Sequence, residues 1–373
     1  MMARAPLDLE KVLNDPSIRV VVTCGSGGVG KTTTAAAMAI YAADQGRKVA
    51  VLTIDPARRL AQSLGLGELD NVPRKVEFEG SGDAPSGELW AMMLDTSRTF
   101  DEMVSSNANA DHAAKILANP FYTTISTSFS GTQEYMAMEK LSQLAATDEF
   151  DLIVVDTPPS RSALDFLDAP QRLSSFLDGR MIRLLASPGR GVMRIVGAGF
   201  QLFAKAVTSV VGGQMLADAA TFVQLFEGMF GGFRDRAQAT YDLLRSSRTA
   251  FVVVAVPEPD ALREASYFAD RLRAERMPLA GLVLNRTHPP MADLSLATTQ
   301  AAIAEVAGSS PLTAAALAVH AERLTTRTQE LRMRARLDRA HPDLPVVEVP
   351  ALAFDAHDLP ALRIIAGQLT GTS

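Results

Sequence analysis

The sequence predicts an α/β fold, a doubly wound and mostly parallel sheet covered on both faces by helices. Three observations predict it. Continuous Val/Ile-rich runs recur between helical stretches, as strands buried on both faces must. The loop C-G-S-G-G-V-G-K-T-T-T at Cys24–Thr34 sits between the first such run and an Ala-rich helix. Asp55, Asp156, Glu258, Asn285 and the Pro350 turn each fall just past a strand's carboxyl end. In an open parallel sheet those ends line one edge, where ligands bind.

In chain order, 1–15 reads as a short leader of a helical turn or two, and Ile18–Thr23 as the first buried strand. A helix over Thr33–Asp44 stops at Gly46, and Lys48–Ile54 is the second strand, ending at Asp55. Residues 79–88 form a polar Gly/Ser-rich loop before a third strand at Leu89–Leu94. Helices follow at 96–118 and 132–147, then strands at Leu152–Val155, Ala250–Val256, Ala280–Leu284 and Leu344–Val349. Helices over 260–275, 292–340 and 359–368 complete the alternation. Helical insertions at 95–147 and 175–240 are expected to form a cap.

The chain has 373 residues, room for two or three average domains or one large α/β domain with insertions. A net charge of −6 argues against nucleic acid as the main partner, although arginines cluster at 180–194 and 321–339. Cys24 is the only cysteine, which excludes an internal disulfide and a Cys-rich metal site and suits a reducing cytoplasm. No apolar run of signal-peptide length opens the chain.

Gly25, Gly30, Lys31 and Thr32 satisfy the phosphate-loop pattern G-x-x-x-x-G-K-[ST]. Gly25, Gly27, Gly28 and Gly30 let the backbone of Gly25–Thr33, with Ser26 and Val29 between them, aim consecutive N–H groups at phosphate oxygens. Lys31 adds a cation for the β- and γ-phosphates, and the Thr32 hydroxyl suits Mg²⁺. The run D-L-I-V-V-D-T-P-P ends a strand in Asp156, which serves either to hold Mg²⁺, directly or through water, or to cap a turn. Asp55 either orients and deprotonates an attacking water or caps the turn that follows. The loop implies a nucleoside triphosphate ligand.

The phosphate loop, the D-P-A-x-x-L segment at Asp55–Leu60 and D-T-P-P at Asp156 together resemble the ArsA-type ATPase family, which includes arsenite-pump ATPases and ATPases that deliver tail-anchored membrane proteins. Pro257-Glu258, the strand ending at Asn285 and V-E-V-P at Val347–Pro350 extend the resemblance over 18–368, so a single ArsA-like domain spans the chain. The resemblance implies a Mg²⁺-dependent ATP hydrolase working as a nucleotide-switched dimer. It makes Asp55 the catalytic aspartate of switch I and Asp156 the head of switch II. Glu258 and Asn285 become nucleotide contacts, Asn285 reading adenine, and the Pro350 loop walls the base, so ATP is expected over GTP.

Three departures modify that expectation. The family usually carries a lysine at the loop's second residue, reaching the opposite subunit's phosphates; here Ser26 stands there. Arg58, Arg59 or Arg161 could substitute, or the lysine could come from an ArsA-like paralogue in an unlike dimer. Thr298 and Ala301 occupy the place of the zinc-sharing C-x-x-C pair, and no cysteine beyond Cys24 exists for a metalloid. Between Ile195 and Phe226 only Lys205 and Asp218 are charged, within an apolar region at Met181–Phe233 that includes Phe200 and Phe222. It is too interrupted to span a membrane. It reads as a buried helical layer, a groove for a hydrophobic or membrane-protein client, or a membrane-surface helix. The expected function is a cytoplasmic ATPase that handles such a client. A weakly hydrolysing ATP-dependent interaction protein and a partitioning or positioning ATPase are the other readings.

Overall fold

A computed structural model describes residues 6–55, 59–77, 87–120, 122, 132–158, 221–222 and 230–372. The chain divides into two compact units, one of 1–93, 147–163 and 243–373, the other of 94–146 and 164–242.

The first unit is built on an eight-stranded sheet. Its strands are β1 (Val20–Cys24), β2 (Lys48–Thr53), β3 (Arg74–Lys75), β4 (Glu88–Met93), β5 (Leu152–Asp156), β6 (Thr249–Ala255), β7 (Leu279–Thr287) and β8 (Val346–Pro350). The order is β3-β4-β2-β5-β1-β6-β7-β8. Every pairing is parallel except β3–β4. Every residue of β1, β5 and β6 is buried, so both sheet faces need helical cover, as their unbroken apolar sequences imply.

That cover starts with α1 (Leu9–Asn14), capped by Asp8, and α2 (Lys31–Asp44), whose buried residues include six alanines. Alanines bring the α2 backbone close to the sheet, while Met38 and Ile40 fill the space around it. A short α3 (Arg59–Ser63) follows β2. The C-terminal α11 (Leu359–Thr370) clamps α2 through a two-pronged Arg363–Asp44 pair at 3.0 and 3.1 Å. On other connections lie α8 (Pro259–Ala274), α9 (Leu296–Val306) and the 30-residue α10 (Pro311–Ala340).

The second unit is helical in its described residues: α4 (Thr96–Asn107), α5 (Ala110–Leu117), α6 (Thr132–Ala146) and α7 (Phe230–Arg245) up to Asp242. Phe100, Met103, Ile116, Met136 and Leu141 are among its buried residues. Glu139, 4% exposed, is held by Arg236 at 3.1 and 3.2 Å. Phe222 is buried, with its ring 6.3 Å from that of Tyr122. The remainder of the apolar stretch, Phe200 included, lies outside the described residues apart from Thr221 and the first turn of α7.

Several boundaries differ from the expectation, each for a physical reason. The loop helix begins at Lys31, not Thr33, because Gly30 in a left-handed conformation already serves as its N-cap. The run 292–340 is two helices, broken at 307–310, with Pro311 restarting the second. The run 96–118 breaks at Ala108, and Asn109 caps the next helix through its side chain. Strand β7 continues to Thr287, so Asn285 lies within it rather than past its end. The two-residue β3 went unpredicted; it has no apolar pattern and exists by pairing with the edge of β4.

Candidate functional site

The phosphate loop leaves β1 at Cys24 and turns at Gly25, where φ is +156°. A Cβ on Gly25 would lie 2.1 Å from the Val254 carbonyl oxygen, so the neighbouring strand excludes any side chain there. Gly30 has φ +93°, and its Cβ would meet Asn285 Nδ2 at 2.3 Å. No side chain caps the first turn of α2, so its N–H groups face the loop and its positive dipole end stays available to an anion. Lys31, 6% exposed, donates to the Ser26 carbonyl at 2.8 Å.

Beneath the loop, sheet register assembles the polar core. Asp156 is in register with Thr23 on β1 and with Thr53 on β2. Register partners share a face, so the Thr53 and Asp156 side chains meet. Thr53 Oγ1 donates to Asp156 Oδ2 at 3.0 Å, and Thr32 Oγ1 donates to the same oxygen at 2.7 Å. Asp156 Oδ1 is buried and has no hydrogen-bond partner. Burial pushes the Asp156 carboxyl up to about 6, against the two threonine hydroxyls and Lys31, which pull it down. The backbone N–H of Asp55 donates to Thr53 Oγ1 at 3.3 Å, joining the segment after β2 to the same carboxylate. Burial also pushes the Cys24 thiol up to about 12, far from a reactive thiolate.

Above this core opens a cleft of about 270 Å³. Gly28, Gly30, Lys31, Thr32, Thr33 and Asp55 line it, so the loop and the expected catalytic aspartate face one space. Gln62 and Ser63 of α3 and Arg286, Ala356 and His357 complete the lining. Arg286 is the extra residue of a bulge between β7 and β8, with φ +56°. Bulges next to a site re-aim side chains, and this one presents an arginine to the cleft. Asn285 does not line the cleft. Its Nδ2 donates to the Val29 carbonyl at 2.8 Å, and its Oδ1 accepts from the Arg286 N–H at 2.9 Å. Glu258 is the exposed N-cap of α8, and Pro350 closes β8; neither lines the cleft. Arg58 and Arg161 and the side chain of Arg59 lie outside the described residues.

Sequence reasoning missed Thr53, Arg286 and His357. A threonine ending a buried strand two residues before Asp55 is the signal that could have found the first. The bulge and the loop before α11 leave no such trace.

Comparison with known proteins agrees with this geometry. The family model described as Anion-transporting ATPase, the ArsA-type ATPases, matches residues 18–301. The chain belongs to the ArsA-type ATPase family. It is therefore an ATP hydrolase of the phosphate-loop kind. It is 26% identical over 286 residues to ATPase GET3 of Malassezia globosa, covering 76% of this chain and 78% of that protein. It is 26% identical over 286 residues to ATPase GET3B of Arabidopsis thaliana, covering 71% of this chain and 63% of the relative. ATPase ARSA2 of Chlamydomonas reinhardtii is 25% identical over 287 residues, covering 74% of this chain and 70% of the relative. Among the described residues no helix is long and apolar enough to cross a membrane.

Proposed function

We propose that this ArsA-type ATPase is one domain that hydrolyses Mg·ATP in the cleft above Lys31 and uses the cycle to switch a dimer that handles a hydrophobic or membrane-protein client. The observation that carries the chemistry is the buried Asp156–Thr32–Thr53 cluster, set under a phosphate loop whose cleft Asp55 lines. A divalent cation fits the donors present. Asp156 offers a buried unpaired oxygen, Oδ1, and Thr32 an adjacent hydroxyl. Thr32 and Asp156, the latter directly or through water, would hold Mg²⁺, which supplies charge neutralisation on the transferring phosphoryl group.

The residues of the chain divide the remaining work. The backbone N–H groups of Gly27–Thr33 bind the α-, β- and γ-phosphates, and Lys31 leaves the Ser26 carbonyl to neutralise the γ-phosphate. Asp55 orients the attacking water and accepts its proton. Its backbone link through Thr53 to Asp156 lets the metal side of the site register the position of Asp55. Asn285 anchors the loop at Val29 and faces the base with its second amide hydrogen. Glu258 and Pro350 border the same sheet edge and are assigned to the nucleotide once closure brings them in.

Client handling rests on family membership and on the apolar sequence 181–233. Ser26 points to an unlike dimer, in which an ArsA-like paralogue supplies the loop lysine that this chain lacks. Such a cation, given in trans, raises phosphoryl-transfer rates by roughly 10³–10⁵. The test is steady-state ATP turnover and nucleotide affinity of the purified chain. Lys31→Ala should abolish Mg·ATP binding, and Asp55→Asn should keep binding while losing turnover. Undiminished turnover in Asp55→Asn refutes the assignment. Activity that appears only on mixing with a paralogue, and is lost when the paralogue's loop lysine is replaced, supports the unlike pair.

A further inference from the structure

A second concavity lies on the same unit, outside the nucleotide cleft: a groove of about 620 Å³ between Pro259–Ser266 of α8 and Arg332–Ala340 of α10. Each wall is about two helical turns long, some 12 Å. Its floor is apolar, with Leu262 on one wall and Met333 and Leu337 on the other. Its polar groups are Arg263, Arg332, Arg336 and Ser266.

Every one of these presents a donor. Arg332 and Arg336 are exposed, one turn apart, and among the described residues make no hydrogen bond or ion pair. Their neighbours on α10 differ, since Arg327 and Arg334 are both paired with Glu348. Arg263 pairs with Asp260 on its own helix, and both are largely exposed. The hydroxyl of Ser266 is fixed as a donor by a buried histidine. Arg273 Nη1 lies 2.9 Å from His341 Nδ1, and an arginine can only donate, so Nδ1 accepts. The ring proton then sits on Nε2, which lies 2.7 Å from Ser266 Oγ and donates to it. That leaves the Ser266 O–H directed elsewhere.

An apolar floor between walls bearing the exposed arginines Arg332 and Arg336 fits a ligand that is both acidic and amphipathic. We propose that this groove docks an acidic amphipathic helix of a partner protein. Arg332 and Arg336 match carboxylates one turn apart on such a helix, and Leu262, Met333 and Leu337 receive its apolar face. An anionic bilayer fits less well. The surface is concave, and the exposed carboxylates of Asp260 and Asp270, 87% and 72% exposed, stand on or beside the same wall. The proposal does not rest on the ATPase assignment, since none of these residues lines the nucleotide cleft.

The test uses the full chain and a fluorescein-labelled helical peptide with leucines at i, i+3, i+4 and i+7 and glutamates flanking them. A second peptide carries lysines in place of the glutamates. Fluorescence anisotropy should show binding of the glutamate peptide only, weakened at high salt. Binding should fall about tenfold or more in an Arg332→Glu/Arg336→Glu variant whose circular-dichroism melting and ATP turnover are unchanged. Hydrogen exchange should show protection confined to 259–266 and 332–340. If the charge-reversal variant fails to fold, Arg332→Gln/Arg336→Gln makes the same comparison. Failure of the glutamate peptide to bind, equal binding of both peptides, or unchanged binding to the variants overturns the proposal. So does arginine-dependent capture by phosphatidylglycerol vesicles that the peptide does not compete away.

Discussion

Asp156 gives a prediction whose size can be worked out. In the metal-free protein its carboxyl titrates at about 6 instead of 3.8, because burial disfavours the charge more than Thr32, Thr53 and Lys31 favour it. An acid whose folded pKa is raised keeps a proton that the unfolded chain has already lost. Stability therefore falls as pH rises through that window and levels off above it. A shift of roughly two units corresponds to about 3 kcal/mol at neutral pH, of which about 2 kcal/mol is lost between about pH 4.5 and pH 7.5. Asp156→Asn keeps an acceptor for both threonine hydroxyls and has no charge to titrate. It does place an amide nitrogen where Oδ1 has no partner, at a cost of about 1–3 kcal/mol that is the same at every pH. Urea unfolding of both proteins across this range, without nucleotide or divalent cation, isolates the pH-dependent part. The wild type should lose about 2 kcal/mol relative to the variant as pH rises. Adding Mg²⁺ at pH 7.5 should recover part of that loss in the wild type alone. Parallel pH profiles would show that Oδ1 is solvated, and the argument from a dry, unpaired oxygen would fail.

Asn285→Ala removes the bond to the Val29 carbonyl and should cost about 1 kcal/mol in denaturant unfolding. Because the loop itself loosens, binding of ATP and of inorganic tripolyphosphate should weaken together; a loss confined to ATP would assign Asn285 to the base alone. Arg236→Met strands the buried Glu139 carboxylate and should destabilise the helical unit by about 3 kcal/mol, with Arg236→Met/Glu139→Gln recovering most of it. Calorimetry that finds the single variant as stable as wild type would show that Glu139 needs no cation. Ser26→Lys restores the loop cation and should raise turnover of the purified chain, up to about 10³-fold if the missing charge limits the rate. An unchanged rate would place the limit elsewhere.

The parts of the fold that depend on local sequence were legible. Strands buried on both faces leave unbroken apolar runs, and the phosphate loop writes its backbone demands into glycines whose Cβ atoms would strike Val254 or Asn285. Illegible parts depend on which distant residues meet. Thr53 matters because β2 and β5 pair with Thr53 opposite Asp156. Arg286 reaches the cleft because β7 slips by one residue against β8. Asn285 holds the loop because its neighbour across the sheet edge is Val29, a contact that its own sequence context does not reveal. A strand's end can be read from its own residues, but the partner of that end cannot.

These long-range contacts also limit how the site can move. The loop is tied to β6 by the close approach of Gly25 to Val254 and to β7 by the Asn285–Val29 bond. Asp156 is tied to α2 through Thr32 and to β2 through Thr53. The Asp55 backbone N–H donates to Thr53 Oγ1 at 3.3 Å, and Gln62 and Ser63 of α3 line the same cleft. The phosphate side of the site is thus built into the sheet, and the Asp55 backbone joins it through the Thr53 hydroxyl oxygen. A nucleotide that changes the charge beside Asp156 acts on the acceptor of the Thr53 hydroxyl, whose oxygen in turn accepts from the Asp55 N–H. Under the proposed function, this chain of bonds is a route by which the charge beside Asp156 reaches the Asp55 backbone.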